Sequence, residues 1–234
     1  MSESALVNNL AQCPLNLRSR FVDRWQAFRL KAGLLVLQKH ARTASLAITV
    51  ENMVKIADMK TSLLRWELIG IIVISVLGSI LHFSFDWSGG WKPLGVISAV
   101  NESVWEHLKI GFWPALFYGV FEYPFLKKLT DNFTIAKASG IYAIPFVIVV
   151  LFYSYTGATG REILIVDILI FVIAIAVGQV VSYKILTMHK LTAWQNRLGL
   201  TLLIVLAVAF GVFTFFPPEL SIFRDSVTGT YGIR

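Results

Sequence analysis

Cysteine is almost missing from this chain. Cys13 is the only one in 234 residues, which excludes an internal disulfide and any multi-cysteine metal knuckle and leaves the redox compartment unspecified. A His-Glu-x-x-His zinc signature is absent, as is any aromatic-basic nucleic-acid motif, so no nucleic-acid partner is expected. The apolar run Ala32 to Leu37 is too short for a signal-peptide core, and no small-residue cleavage site follows it. Polar residues are also scarce at the centres of the longer apolar runs, where Gln179 and Ser75 stand nearly alone. An ion path through one copy would need more of them.

What the chain does have is hydrophobicity in long runs. Apolar residues make up 56% of it, with a mean hydropathy of +0.68, against about 45–50% apolar in an ordinary soluble domain. The runs have spanning length. The expected fold is therefore an all-α integral membrane protein, a bundle of about five transmembrane helices with the lipid bilayer as its partner. The spans are expected at about 66–85, 104–126, 140–156, 163–186 and 198–216. Trp66 supplies an interfacial ring, and Asp86 to Pro93 breaks the chain with Gly89, Gly90 and Pro93. Pro114 is expected to kink the second span, and Pro217-Pro218 ends the fifth. Ala174 with Gly178, and Ala207 with Gly211, have the small-xxx-small spacing that lets helices approach closely, within one copy or in a homo-oligomer.

Charge gives orientation. The net charge is +7, and ten of the 21 basic residues lie at or before Arg65, which reads as anchoring against anionic lipid. Lys127, Lys128, Lys137, Lys184, Lys190 and Arg197 fall on the N-terminal side of the spans, against Lys92, Lys109, Arg161, Arg224 and Arg234 opposite. The expected topology in the cell membrane is N-terminus inside and C-terminus outside. Residues 1–58 stand apart. Arg18, Arg20, Arg24, Arg29 and Lys31 alternate there with Phe21, Trp25, Phe28 and Leu35, the pattern of an amphipathic helix on the inner membrane surface. Met59, followed by Lys60 and Trp66, is also a conventional start, so these residues are either that cytoplasmic segment or an upstream extension.

The chemistry concentrates in Val100 to Lys109. Given five spans, His82, Glu102, Glu106, His107 and Asp167 share one depth at the outer face, whereas Glu122 lies about 24 Å below Glu106 along a helix. Two histidines and three carboxylates at one level suit a divalent cation such as zinc. His82, His107, Glu102 and Asp167 are the candidate ligands. Glu106 is the candidate general base for bound water, with Ser103 one turn before His107 as the other candidate catalytic group. The same residues also read as structure: Ser103 and Glu106 form a capping box, Asn101 is a good cap, and Glu106 and Lys109 are spaced to pair. The tail Pro217 to Gly232 is turn-rich with apolar anchors and is expected outside, either as a lid that brings Asp225 near His82 or as a short ordered tail on the outer loop.

With Trp66-Glu67-Leu68, His82-Phe83, Asp86-Trp87-Ser88-Gly89 and Asn101-Glu102-Ser103-Val104-Trp105-Glu106-His107-Leu108-Lys109 in view, the chain resembles a prokaryotic family of small multipass membrane proteins known as a domain of unknown function. The likeness covers about residues 60–233, implies the membrane fold and carries no activity. Ser103 and His107 are also similar to the Ser and His of the zinc-dependent membrane amide hydrolases of the alkaline ceramidase group. That likeness implies metal-assisted hydrolysis. Members of that group have seven spans and a late His-x-x-x-His pair, whereas His189 here stands alone. The rival reading is a transporter or a non-catalytic membrane scaffold, in which the polar cluster serves capping and packing.

Overall fold

The computed structural model describes residues 15–233. Cys13 and Arg234 lie outside them, as do the side chains of Arg18 and Phe21. Five helices account for most of the chain: α1 (Leu15–Trp87), α2 (Val104–Leu126), α3 (Phe133–Thr159), α4 (Leu164–Leu186) and α5 (Ala193–Phe215). Short 3-10 turns occupy Lys92–Val96 and Ser221–Phe223, and among the described residues there is no strand, only an isolated bridge between Arg224 and Tyr231. The protein is an all-α membrane bundle. Two compact units divide it, Met1–Asp58 and Met59–Arg234.

The described part of the first unit is helical. Its apolar residues are exposed, Trp25 stacks on Phe28 at 5.7 Å, and the Arg29 guanidinium lies over the Trp25 ring. The stretch that holds these basic and apolar residues is helical from Leu15 onward.

In the second unit the part of α1 from Met59 onward buries one stripe: Leu63, Glu67, Gly70, Ile74, Gly78 and Phe85. That three-to-four spacing is the signature of a helix with one face on protein and the other on lipid. α1, α3, α4 and α5 are each long and apolar enough to cross a membrane. α2 falls short of that hydropathy because it carries Glu106, His107, Lys109 and Glu122, and it buries Glu106, Lys109 and Glu122 together with Phe112, Ala115 and Tyr118. A helix whose ionisable groups face protein needs less apolar surface than one that faces lipid. It continues through Pro114 and Pro124, as membrane helices do where neighbours satisfy the freed carbonyls.

α3 and α4 touch backbone to backbone. A Cβ on Gly178 would lie 2.7 Å from the Gly140 carbonyl oxygen, and one on Gly140 would lie 2.6 Å from that of Gly178. Ala174 and Gly178 are buried, so their small-residue spacing serves packing within one copy, while Ala207 and Gly211 remain partly exposed. α3 begins at Phe133, earlier than the apolar run itself suggests, because Lys137 is buried in ion pairs and Asn132 anchors the turn before it. The Asn132 amide donates to the carbonyls of Ile185, Met188 and His189 and accepts from Leu191 N–H at 2.8 Å.

Candidate functional site

α2 starts where its local sequence says it should. Ser103 is the N-cap, its hydroxyl accepting from Glu106 N–H at 3.4 Å, and Asn101 Oδ1 accepts from Ser103 N–H at 2.9 Å. The capping box is only half made. Glu106 does not return to the cap; its Oε2 accepts from Val100 N–H at 3.1 Å and pairs with Lys109, while Oε1 accepts from the Thr214 hydroxyl at 3.2 Å. Lys109 in turn donates to the Gly95 carbonyl at 2.6 Å and to Thr214 Oγ1 at 2.8 Å. Glu106 is 2% exposed and Lys109 fully buried. This network ties the 92–100 loop, α2 and α5 together, and both oxygens of Glu106 are engaged in it.

One turn away lies a group of a different kind. His82 at the end of α1, Glu102 just before α2 and His107 in its first turn converge. The two Nε2 atoms are 3.2 Å apart, and Glu102 Oε2 is 3.4 Å from His107 Nε2 and 3.7 Å from His82 Nε2. These three residues offer ligand atoms all within 4.8 Å of one another. His107 Nδ1 lies 2.8 Å from the Ser103 carbonyl oxygen, which can only accept, so Nδ1 carries the hydrogen. In the neutral ring Nε2 then faces His82 and Glu102 with a lone pair that can take a proton or a metal. His82 Nδ1 is buried and has no hydrogen-bond partner. The hydrogen bond from His107 holds the Glu102 carboxyl below the usual carboxylate range; partial burial opposes this, and the charges of His107 and His82 add to it.

The remaining candidate, Asp167, is directed elsewhere: it accepts from the Tyr155 hydroxyl at 2.5 Å, and the same hydroxyl accepts from Ile163 N–H at 3.1 Å. It closes the α3–α4 turn. The tail reaches the segment around the site through one hydroxyl and one backbone carbonyl. Ser226 Oγ donates to the Glu102 carbonyl at 3.2 Å, and the Asn101 amide donates to the Gly232 carbonyl at 3.1 Å. Phe223 is buried against Trp105 and Phe213. The Asp225 carboxylate is occupied within its own turn by Val227 N–H and the Thr228 hydroxyl. The tail therefore clamps the segment that carries Glu102.

Sequence reasoning missed Thr214, Gly95 and Gly232 as parts of this region. No local pattern points to them, since each joins a partner across the fold. Trp105 signals its role more openly, as a large ring in a polar string that needs an apolar pocket.

Neither a curated protein nor a solved structure matches the chain. Residues 55–233, which hold both polar groups and the tail that clamps them, match the family described as "Family of unknown function (DUF6512)", and the chain belongs to that family.

Proposed function

We propose that His82, Glu102 and His107 bind a divalent metal, zinc by preference, at the extracytoplasmic boundary of the membrane, and that the bound metal activates water to hydrolyse a lipid-like amide or ester. The triangle of ligand atoms carries this reading. Ligands around a tetrahedral metal with bonds of about 2.0–2.1 Å stand about 3.3–3.4 Å from one another, and the three distances here are 3.2, 3.4 and 3.7 Å. The Ser103 carbonyl presets the His107 tautomer that leaves Nε2 for a ligand. Imidazole and carboxylate suit zinc, and three protein ligands leave a fourth position for water. The Glu102 side chain is 47% exposed, so substrate has access. Ser103 and Glu106 position the ligands in this scheme, and Asp167 stands outside the ligand set.

The buried ion pairs support an orientation as well. Lys109 and Lys137 are buried in ion pairs and drop out of the loop count. Lys127, Lys128, Lys184, Lys190 and Arg197 remain at one face, against Lys92, Arg161 and Arg224 at the other. With five crossings the positive-inside rule puts the Glu122 end of α2 in the cytoplasm and the His82 site outside. Residues 1–58 are then cytoplasmic, and the tail after Phe216 is extracytoplasmic.

The test is elemental mass spectrometry on the full chain, purified in detergent without a histidine tag, beside a His82→Ala/His107→Ala variant. Near-stoichiometric zinc is expected in the wild type and none in the folded variant, with hydrolysis of lipid amides or esters lost alongside it. Absence of metal in the wild type after zinc reconstitution would overturn the reading and leave the 3.2 Å contact as a hydrogen bond between two histidines.

A further inference from the structure

A second polar cluster lies farther along the same two helices. Glu67 on α1 is 15 residues before His82, and Glu122 on α2 is 15 residues after His107, a separation of roughly 22 Å along each axis. Both carboxylates meet one ammonium. Lys137 Nζ, from α3, lies 2.7 Å from Glu67 Oε1 and pairs with Glu122 Oε1. Glu67, Glu122 and Lys137 are 2%, 0% and 5% exposed. Two carboxylates and one ammonium leave a net charge of −1 sealed inside the bundle, where an uncompensated charge is strongly disfavoured.

The donors do not balance either. Glu67 Oε1 accepts from Lys137 and from the Ser182 hydroxyl at 2.9 Å, but Glu67 Oε2 and Glu122 Oε2 have no hydrogen-bond partner. The nearby donors are turned to the backbone. The Tyr118 hydroxyl donates to the Trp66 carbonyl at 2.6 Å, and Gln179 Nε2 donates to the Glu67 carbonyl at 3.1 Å. Gly70 makes room for that amide, since a Cβ there would lie 1.9 Å from Gln179 Nε2. The polar groups at the pair come from four helices: Glu67 from α1, Tyr118 and Glu122 from α2, Lys137 from α3, and the neutral Ser182 and Gln179 from α4. None supplies a second positive charge.

Excess negative charge and missing donors have one common remedy, a hydrogen ion on a carboxyl oxygen. We propose that Glu67 and Glu122 form a proton-binding site buried inside the bundle, which holds one exchangeable proton on one of the two carboxyls that contact Lys137. The proton occupies one carboxyl oxygen, converts an orphan acceptor into a donor and brings the cluster to neutrality. Two carboxyl groups placed together share a proton for the same reason in enzymes, because both cannot ionise at close range. The site is independent of the metal reading: it uses other residues at the other end of the bundle.

The experiment is infrared spectroscopy of the full chain in lipid nanodiscs, in ordinary and heavy water, with Glu122→Gln and Glu67→Gln beside the wild type. A protonated-carboxyl band at neutral pH that shifts in heavy water and disappears in either variant is the expected result. The glutamine that replaces the protonated partner keeps the wild-type melting temperature, because a neutral amide mimics the neutral acid. Should both variants fail to fold, the wild type decides alone: raising the pH must remove a single protonated carboxyl per chain. A wild type with no such band at neutral pH overturns the proposal. So does a melting temperature that rises with sodium or potassium at constant ionic strength in the wild type, which would make the neutralising charge a metal cation.

Discussion

The Val100 to Lys109 string carries two polar groups of opposite construction. In one, Glu106 and Lys109 are buried, ion-paired and bonded to Thr214, Gly95 and Val100, with every contact internal. In the other, His82, Glu102 and His107 sit partly open, with one nitrogen or oxygen of each within 4.8 Å of the others. Adjacent residues in sequence thus divide into a closed network that joins the 92–100 loop, α2 and α5, and a more open trio. A buried charge must be compensated where it sits, whereas a half-exposed group can be held ready for a ligand. The difference tells which residues would be changed to alter structure and which to alter chemistry.

The largest effect is expected from breaking the closed group. Lys109→Met strands the Glu106 carboxylate in the interior and should cost about 3–5 kcal/mol, seen as a large fall in melting temperature in detergent. Adding Glu106→Gln to that variant should recover most of the loss; if the single and double variants melt alike, the network is not what holds the loop. A smaller change targets the clamp between the two groups. Asn101→Ala removes the bond to the Gly232 carbonyl and the cap on Ser103 N–H, costing about 1–2 kcal/mol, and protection of the tail amides against hydrogen exchange should fall with it. Unchanged exchange in the tail would mean that Phe223 and its aromatic neighbours anchor it unaided.

The smallest effect sharpens the open group. Because the folded-state pKa of Glu102 is lowered, its contribution to stability is fully present above the ordinary carboxylate pKa and is lost as pH falls through the folded value. In metal-free protein, Glu102→Gln should flatten the acid limb of a melting-temperature profile and leave the neutral region alone. An unaltered acid limb would show that the two histidines make no use of that carboxylate.

Much of this was legible from residue order. Asn101, Ser103 and Glu106 announce a helix start, and a helix does start there. His82 and His107 share a depth once the spans are counted, and they meet. Lys137 was not legible: a basic residue just ahead of an apolar run looks like a loop charge until Glu67 and Glu122, 70 and 15 residues earlier, are found against it. Glu106 resembled a free base for the same reason, since Thr214 lies 108 residues away and nothing local foretells it.

By itself the sequence determined that this chain is helical and lives in a membrane, and roughly where its polar residues gather. Run length, periodicity and capping are local properties, settled by each segment's own side chains against water and lipid. Which carboxylate is neutralised, which histidine nitrogen is left open and which glycine lets two helices touch were decided only by the tertiary structure. Those outcomes depend on partners brought together from distant parts of the chain, and a charge or a lone pair has no fate until its neighbour is known.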